Sequence, residues 1–231
     1  LFNAIFSNPE DCKKIIRLLA KKHVGFTREE IAKETGLPFG GGLTDTLNAL
    51  VESDFIQRYR PYNVSGKVSF YKLIDNFSLF WLKYVEPNTE DINFMTDNMT
   101  SNIMRVWRGV AFEEVCWQHI GQIKRALGIS GVSSSISAWS VKGNDNKEGV
   151  QIDLLIIRND NVVNLCEMKF AGDIYSIDKE EDAKIRNRIQ TLINTLSPKQ
   201  SVHLTMITTY GVSHTMYGGR VQQQVILDDL F

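Results

Sequence analysis

The chain has 231 residues, 43% hydrophobic and 23% charged, an ordinary globular balance that can bury one large core or two small ones. Lys and Arg number 26 against 27 Asp and Glu, a net charge of −1, so no global basic field advertises nucleic acid and phosphate contacts would have to come from local patches. Cys12, Cys116 and Cys166 are odd in number, far apart and without a CxxC pair, which argues against a disulfide framework or a zinc site and fits a reducing cytoplasm.

No apolar run approaches the ~18 residues that span a bilayer, and the N-terminus has no basic, apolar, small-residue signal, so no membrane partner is expected. The chain opens on Leu1 instead of Met, which suggests a fragment or processed form whose N-terminal portion is missing.

Asp11 to Lys22 carries Cys12, Ile15, Ile16, Leu18 and Leu19 at helical spacing among lysines and Arg17, a first amphipathic helix. Thr27 followed by Glu30 is a capping box that opens a second helix, Arg28 to Glu34, which Gly36 ends. Leu43 to Ser53, with Leu43, Leu47, Leu50 and Val51 on one face, is a third. Phe55 to Arg60, a turn through Pro61, Asn63 and Gly66, and Val68 to Ile74 read as a two-stranded wing.

Three helices and a wing predict a winged helix-turn-helix, whose third helix would enter the major groove of DNA. That helix and its end hold Asp45, Glu52 and Asp54 but no Lys or Arg, although cations dominate contacts to DNA. Arg58, Arg60 and Lys67 on the wing remain candidate nucleic-acid contacts, beside the alternative that the module packs or binds protein.

Asp75 to Val85 is an aromatic connecting helix whose Phe77, Phe80, Trp81 and Tyr84 are expected to pack as core. Glu86-Pro87 and the polar run behind it mark a boundary, giving a first domain at 1–85, a linker at 86–101 and a second domain at 102–231. Asn102 to Leu127 reads as one long helix with Val106, Val110, Glu113, Trp117, Ile120 and Ile123 near one stripe. Glu113 then lies on the apolar face and Glu114 on its flank. A buried carboxylate needs a partner, either a metal or a cation such as an Arg or Lys169.

Val132 to Ser140 is a weakly alternating strand. Gln151 to Ile157 and Val162 to Phe170 are apolar on both faces with Arg158-Asn159-Asp160-Asn161 between them, a buried antiparallel hairpin. With a loop of odd length centred on Asp160, Asp153 falls across from Glu167, and Lys169 lies two residues along on the same face. An even loop would separate the acids. Two carboxylates ~5 Å apart repel by about 3 kcal/mol at an effective dielectric near 20, which a divalent cation or a shared proton relieves. Asp178 to Leu196 is a charged helix, Val202 to Thr209 a buried strand, and Arg220 to Leu227 a last strand. The expected class is α+β or α/β with a mixed central sheet. His23, His119, His203 and His214 are scattered and form no arrangement for nucleophilic catalysis.

A Glu on the first helix followed by Asp, thirteen residues, Glu, one residue and Lys on adjoining strands, here Glu113, Asp153, Glu167 and Lys169, resembles the PD-(D/E)XK, or restriction-endonuclease-like, superfamily. Ile152 stands where the motif's name has Pro. FYKLIDNFSLFWLKYVEPN at Phe70 to Asn88, WRGVAFEEVC at Trp107 to Cys116 and the E-x-K strand look like the C-terminal half of the archaeal-type ATPase family, across nearly the whole chain.

That resemblance implies a winged helix followed by a three-layer nuclease-like domain, with a P-loop ATPase module ahead of Leu1. The chain itself has no G-x-x-x-x-G-K-[ST], so ATP belongs only to that preceding module. It further implies that Asp153 and Glu167, with Glu113 directly or through water, hold Mg²⁺ or Mn²⁺ while Lys169 acts on a phosphodiester; Gln151, two residues before Asp153 on the same face, is placed to orient a ligand. The partners implied are nucleic acid, DNA first, the ATPase domain of the same protein, and further copies of the chain.

Three readings stand at this point. The first is a metal-dependent nuclease. The second is a non-catalytic regulatory or interaction region of the ATPase. The third, a plain winged-helix transcription factor, is disfavoured by the acidic third helix.

Overall fold

The computed structural model describes residues 2–62, 68–141, 143, 149–197 and 199–231. The chain forms two compact units: Leu1–Arg60 with Val64–Trp107, and Pro61–Asn63 with Arg108–Phe231.

The first unit begins with α1 (Phe2–Ile5) and α2 (Pro9–Leu19). Pro9 lies in the first turn of α2, where its missing N–H costs nothing, so the helix starts earlier than the periodicity suggests. Its Cys12, Ile15, Ile16, Leu18 and Leu19 are buried. After β1 (Phe26–Thr27) comes α3 (Arg28–Thr35), capped as expected: Thr27 Oγ1 accepts from Glu30 N at 3.1 Å and Glu30 Oε2 from Thr27 N at 2.7 Å. Gly36 closes it at φ 71°, in the left-handed region.

Next are α4 (Gly41–Glu52), β2 (Ile56–Tyr59) and β3 (Phe70–Leu73). The three strands form an antiparallel sheet in the order β1-β3-β2. The short β1 has no counterpart in the sequence reading. The turn residues Asn63 and Gly66 and the candidate contact Lys67 lie outside the described residues.

The connecting helix departs from expectation. It is α5 (Asn76–Phe80), capped by Asp75, followed by a π-helical turn at Trp81–Val85 and a 3₁₀ turn at Glu86–Asn88. Phe80 and Tyr84 pack on Trp107, with ring centroids 5.1 and 5.8 Å away, but Phe77 and Trp81 face outward, 67% and 43% exposed. The switch to a wider helical turn rotates successive side chains, so one aromatic stripe does not stay on one face. The polar run carries α6 (Phe94–Asn98).

Then α7 (Asn102–Gln118) and α8 (Ile120–Ala126) replace the single long helix, with the break at His119, whose φ −111° and ψ 30° leave the helical region. The second unit is a mixed sheet in the order β4-β5-β6-β7-β8: β4 (Ser134–Val141), β5 (Val150–Arg158), β6 (Val162–Lys169), β7 (Ser201–Thr208) and β8 (Gln223–Ile226). The β4–β5 and β5–β6 pairs are antiparallel, and the β6–β7 and β7–β8 pairs are parallel.

The crossover between β6 and β7 is α9 (Lys179–Ile193), capped by Asp178 accepting from Glu181 N at 2.8 Å. Ile185 and Leu192 of α9 pack with Leu155, Val163, Leu165, Leu204 and Met206 on one sheet face. Cys116 of α7 interacts with Cys166, whose strand neighbours face α9, so α7 lies on the other face. Burial pushes both thiols far up, which makes them inert packing groups.

Candidate functional site

The β5–β6 hairpin turns through Asn159, Asp160 and Asn161, with Asn161 at φ 67° taking the left-handed position of a three-residue loop. The register follows: Ile157 pairs Val163, Ile156 pairs Asn164, Leu155 pairs Leu165 and Leu154 pairs Cys166, the odd-loop register that the site argument requires. Asp153 and Glu167 are the next residues along, one step beyond the last ladder pair.

The ladder stops there because of β4. Ser137 pairs Leu155 and Trp139 pairs Ile152, so Asp153 and Leu154 together oppose Ala138. That is a β-bulge, which re-aims the side chain it carries. The Asp153 carboxylate comes within 4.8 Å of the Glu113 carboxylate of α7. Trp117, one helical turn on from Glu113, donates its indole N–H to the Asp153 carbonyl at 3.1 Å and ties α7 to the bulge.

Glu113 is half-buried, whereas Glu114, which the stripe reading puts on the flank, is fully buried. From Ala111 to Trp117 every residue of α7 is buried or only partly exposed, so a single-stripe description fails. Val106, expected on the apolar stripe, is 61% exposed.

Two side chains hold one oxygen of each facing acid. Gln151, two residues before Asp153, donates Nε2 to Asp153 Oδ1 at 2.6 Å. Arg188 of α9 donates Nη1 to Glu167 Oε2 at 3.2 Å and Nε to the Gln151 carbonyl at 3.2 Å, spanning β5 and β6. Lys169 Nζ lies 2.8 Å from Glu181 Oε1, also on α9, and Arg188 Nη1 is 3.9 Å from that same oxygen. The result is an alternating chain of charges, Lys169, Glu181, Arg188 and Glu167, with Asp153 held beside it by Gln151.

Glu167 is 7% exposed. Burial pushes its carboxyl up, Arg188 and Lys169 pull it down, and the charges of Asp153 and Glu181 add to burial, leaving it at about 7. Lys169 has the opposite balance: burial lowers its pKa, but the hydrogen bond it donates to Glu181 and the charges of Glu167 and Glu181 outweigh that and raise it. It is therefore charged across neutral pH.

Arg188 and Glu181 are absent from the sequence reading, which takes α9 only as a charged helix. They are seven residues apart, hence on one face, and flank the buried Ile185. Opposite charges at that spacing beside an apolar stripe were the available signal. Of the wing residues, Arg58 is exposed on β2, and Arg60 is exposed just beyond it.

A scan of known protein families finds no match to this chain. Among curated proteins it is similar to the uncharacterized protein MJECL04 of Methanocaldococcus jannaschii, 27% identical over 161 residues, covering 68% of this chain. The match spans 34% of that protein's length. Among solved structures, the protein of unknown function AF1548 superposes with a TM-score of 0.34 at 18% identity, over 48% of this chain and 55% of that one.

Proposed function

We propose that the second unit is a nuclease-like domain whose carboxylates hold a divalent cation and act on a phosphodiester. The observation that carries this reading is the approach of the Asp153 and Glu113 carboxylate oxygens to within 4.8 Å, with Glu167 the next residue past the last β5–β6 ladder pair, close enough to feel the Asp153 charge, and one of its oxygens held by Arg188. The donor set fits Mg²⁺ or Mn²⁺: hard carboxylate oxygens, one buried, with Gln151 and Arg188 orienting them from outside. A cation there supplies polarisation of a phosphoryl oxygen and a bound water of lowered pKa.

The chain's own residues do the rest. Gln151 and Arg188 fix the direction in which the remaining oxygens of Asp153 and Glu167 point. Lys169, charged and anchored on Glu181, stabilises negative charge developing on the phosphate oxygens. With the first unit read as a winged helix, the substrate is DNA, and the whole is the C-terminal region of a P-loop ATPase.

The testing experiment incubates labelled DNA with the wild type, Asp153→Ala and Lys169→Ala in Mn²⁺ and in chelator. Cleavage by the wild type alone, and only with Mn²⁺, is the expected result. Cleavage that survives both substitutions sinks the assignment.

One observation favours a non-catalytic, regulatory reading. Glu167 and Lys169 already have counter-charges in Arg188 and Glu181, so the cluster is electrostatically satisfied without a ligand. That reading predicts a folded protein with no metal-dependent cleavage and no metal affinity.

A further inference from the structure

Beside the carboxylates, α9 and the Gly149–Gln151 end of β5 enclose a cleft of about 380 Å³. Lys184, Asn187 and Arg188 line it from α9. Their i, i+3, i+4 spacing stacks them on one helix face. Among the described residues lining it there is no carboxylate, although α9 opens with Glu180, Glu181 and Asp182.

Two of those acids are directed elsewhere. Glu181 faces Lys169, and the buried Asp182 accepts from Arg186 Nη2 at 3.0 Å and Arg220 Nε at 2.9 Å. The side chains of Lys184 and Asn187 are exposed and, among the described residues, engage no hydrogen-bond or ion-pair partner. Arg188 uses Nε and Nη1 on Gln151 and Glu167, so Nη2 remains for the cleft. An ammonium, an amide and a guanidinium N–H on one wall suit a phosphate oxygen, since Lys supplies point charge and Arg directed donors.

The cleft also shares two residues with the acid array. Gln151 borders it while bonding Asp153, and Arg188 borders it while bonding Glu167. A phosphodiester chain held at the carboxylates would meet this cleft next.

We propose that this cleft is a subsite for a neighbouring phosphate of a nucleic-acid backbone, bound by Lys184, Asn187 and Arg188. The proposal rests on the nuclease-like reading for the direction of the strand. It is independent of that reading in its contacts.

The test measures fluorescence anisotropy of a labelled single-stranded oligonucleotide in chelator, over a range of salt, with the full chain, Lys184→Glu and Asn187→Ala. Mn²⁺ calorimetry on the same proteins reports whether the acid array is intact. The expected result is an affinity loss of about tenfold for Lys184→Glu, a salt slope shallower by about 0.7, and unchanged Mn²⁺ binding. Millimolar inorganic phosphate at constant ionic strength should leave the oligonucleotide bound.

Equal oligonucleotide affinity in all three proteins overturns the subsite. Complete displacement by inorganic phosphate overturns the backbone assignment in favour of a free-anion site. If no protein binds Mn²⁺ yet Lys184→Glu still weakens oligonucleotide binding, the subsite stands and the metal reading falls.

Discussion

Arg188 donates to Glu167 across 3.2 Å, joining the crossover helix α9 to the strand that carries the E-x-K motif. The same guanidinium bonds the backbone of Gln151, whose side chain holds Asp153, so one arginine orients both facing acids.

Arg188→Ala should therefore lower Mn²⁺ affinity about 10- to 100-fold, the usual effect of losing a group that orients a metal ligand. Arg188→Lys, which keeps the charge but not the two-pronged geometry, should recover only part of it. Calorimetric titration of both variants measures this. Tighter Mn²⁺ binding in Arg188→Ala would mean that the arginine competes with the cation.

The raised carboxyl of Glu167 predicts a pH dependence of stability in metal-free buffer. Its folded pKa, about 7, lies above its ordinary value of 4.5, so its contribution is fully present below 4.5 and is lost as pH rises through about 7. Glu167→Gln removes that loss. At pH ~8 the variant should be more stable than the wild type by up to about 3 kcal/mol, and the two should converge at pH ~4. Urea denaturation at both pH values decides it. A wild type that gains stability relative to the variant on going to pH ~8 contradicts the sign.

In the first unit, Gly25 has φ +76°, and a Cβ there would stand 2.0 Å from the Tyr71 carbonyl oxygen on β3. Gly25→Ala should cost about 3 kcal/mol or more, since either the left-handed backbone or the β1–β3 pairing must give. Thermal unfolding of the variant measures the loss. A shift within error of zero would show that the strand accommodates it.

Much of this was legible in the sequence for local reasons. The α3 capping box and its Gly36 stop are written in three local choices, Thr27, Glu30 and Gly36. The β5–β6 register follows from an odd loop, with Asn161 able to take positive φ. What was not legible depends on tertiary neighbours. The bulge at Asp153 exists because β4 is one residue shorter than β5 across that stretch, and neither strand alone records it. Glu114 rather than Glu113 is the fully buried acid because burial extends around α7 between Ala111 and Trp117, which a one-stripe helical reading does not anticipate. The aromatic pattern puts Phe77 and Trp81 in the core because a π-helical turn leaves no mark in it.

The central claim is that Glu113, Asp153 and Glu167 form a cation site, and calorimetric titration of Mn²⁺ into the wild type and Asp153→Ala at neutral pH tests it most directly. The account predicts saturable binding by the wild type that Asp153→Ala abolishes, with proton release as Glu167 ionises. Binding that is absent from the wild type, or equal in both proteins, would contradict it.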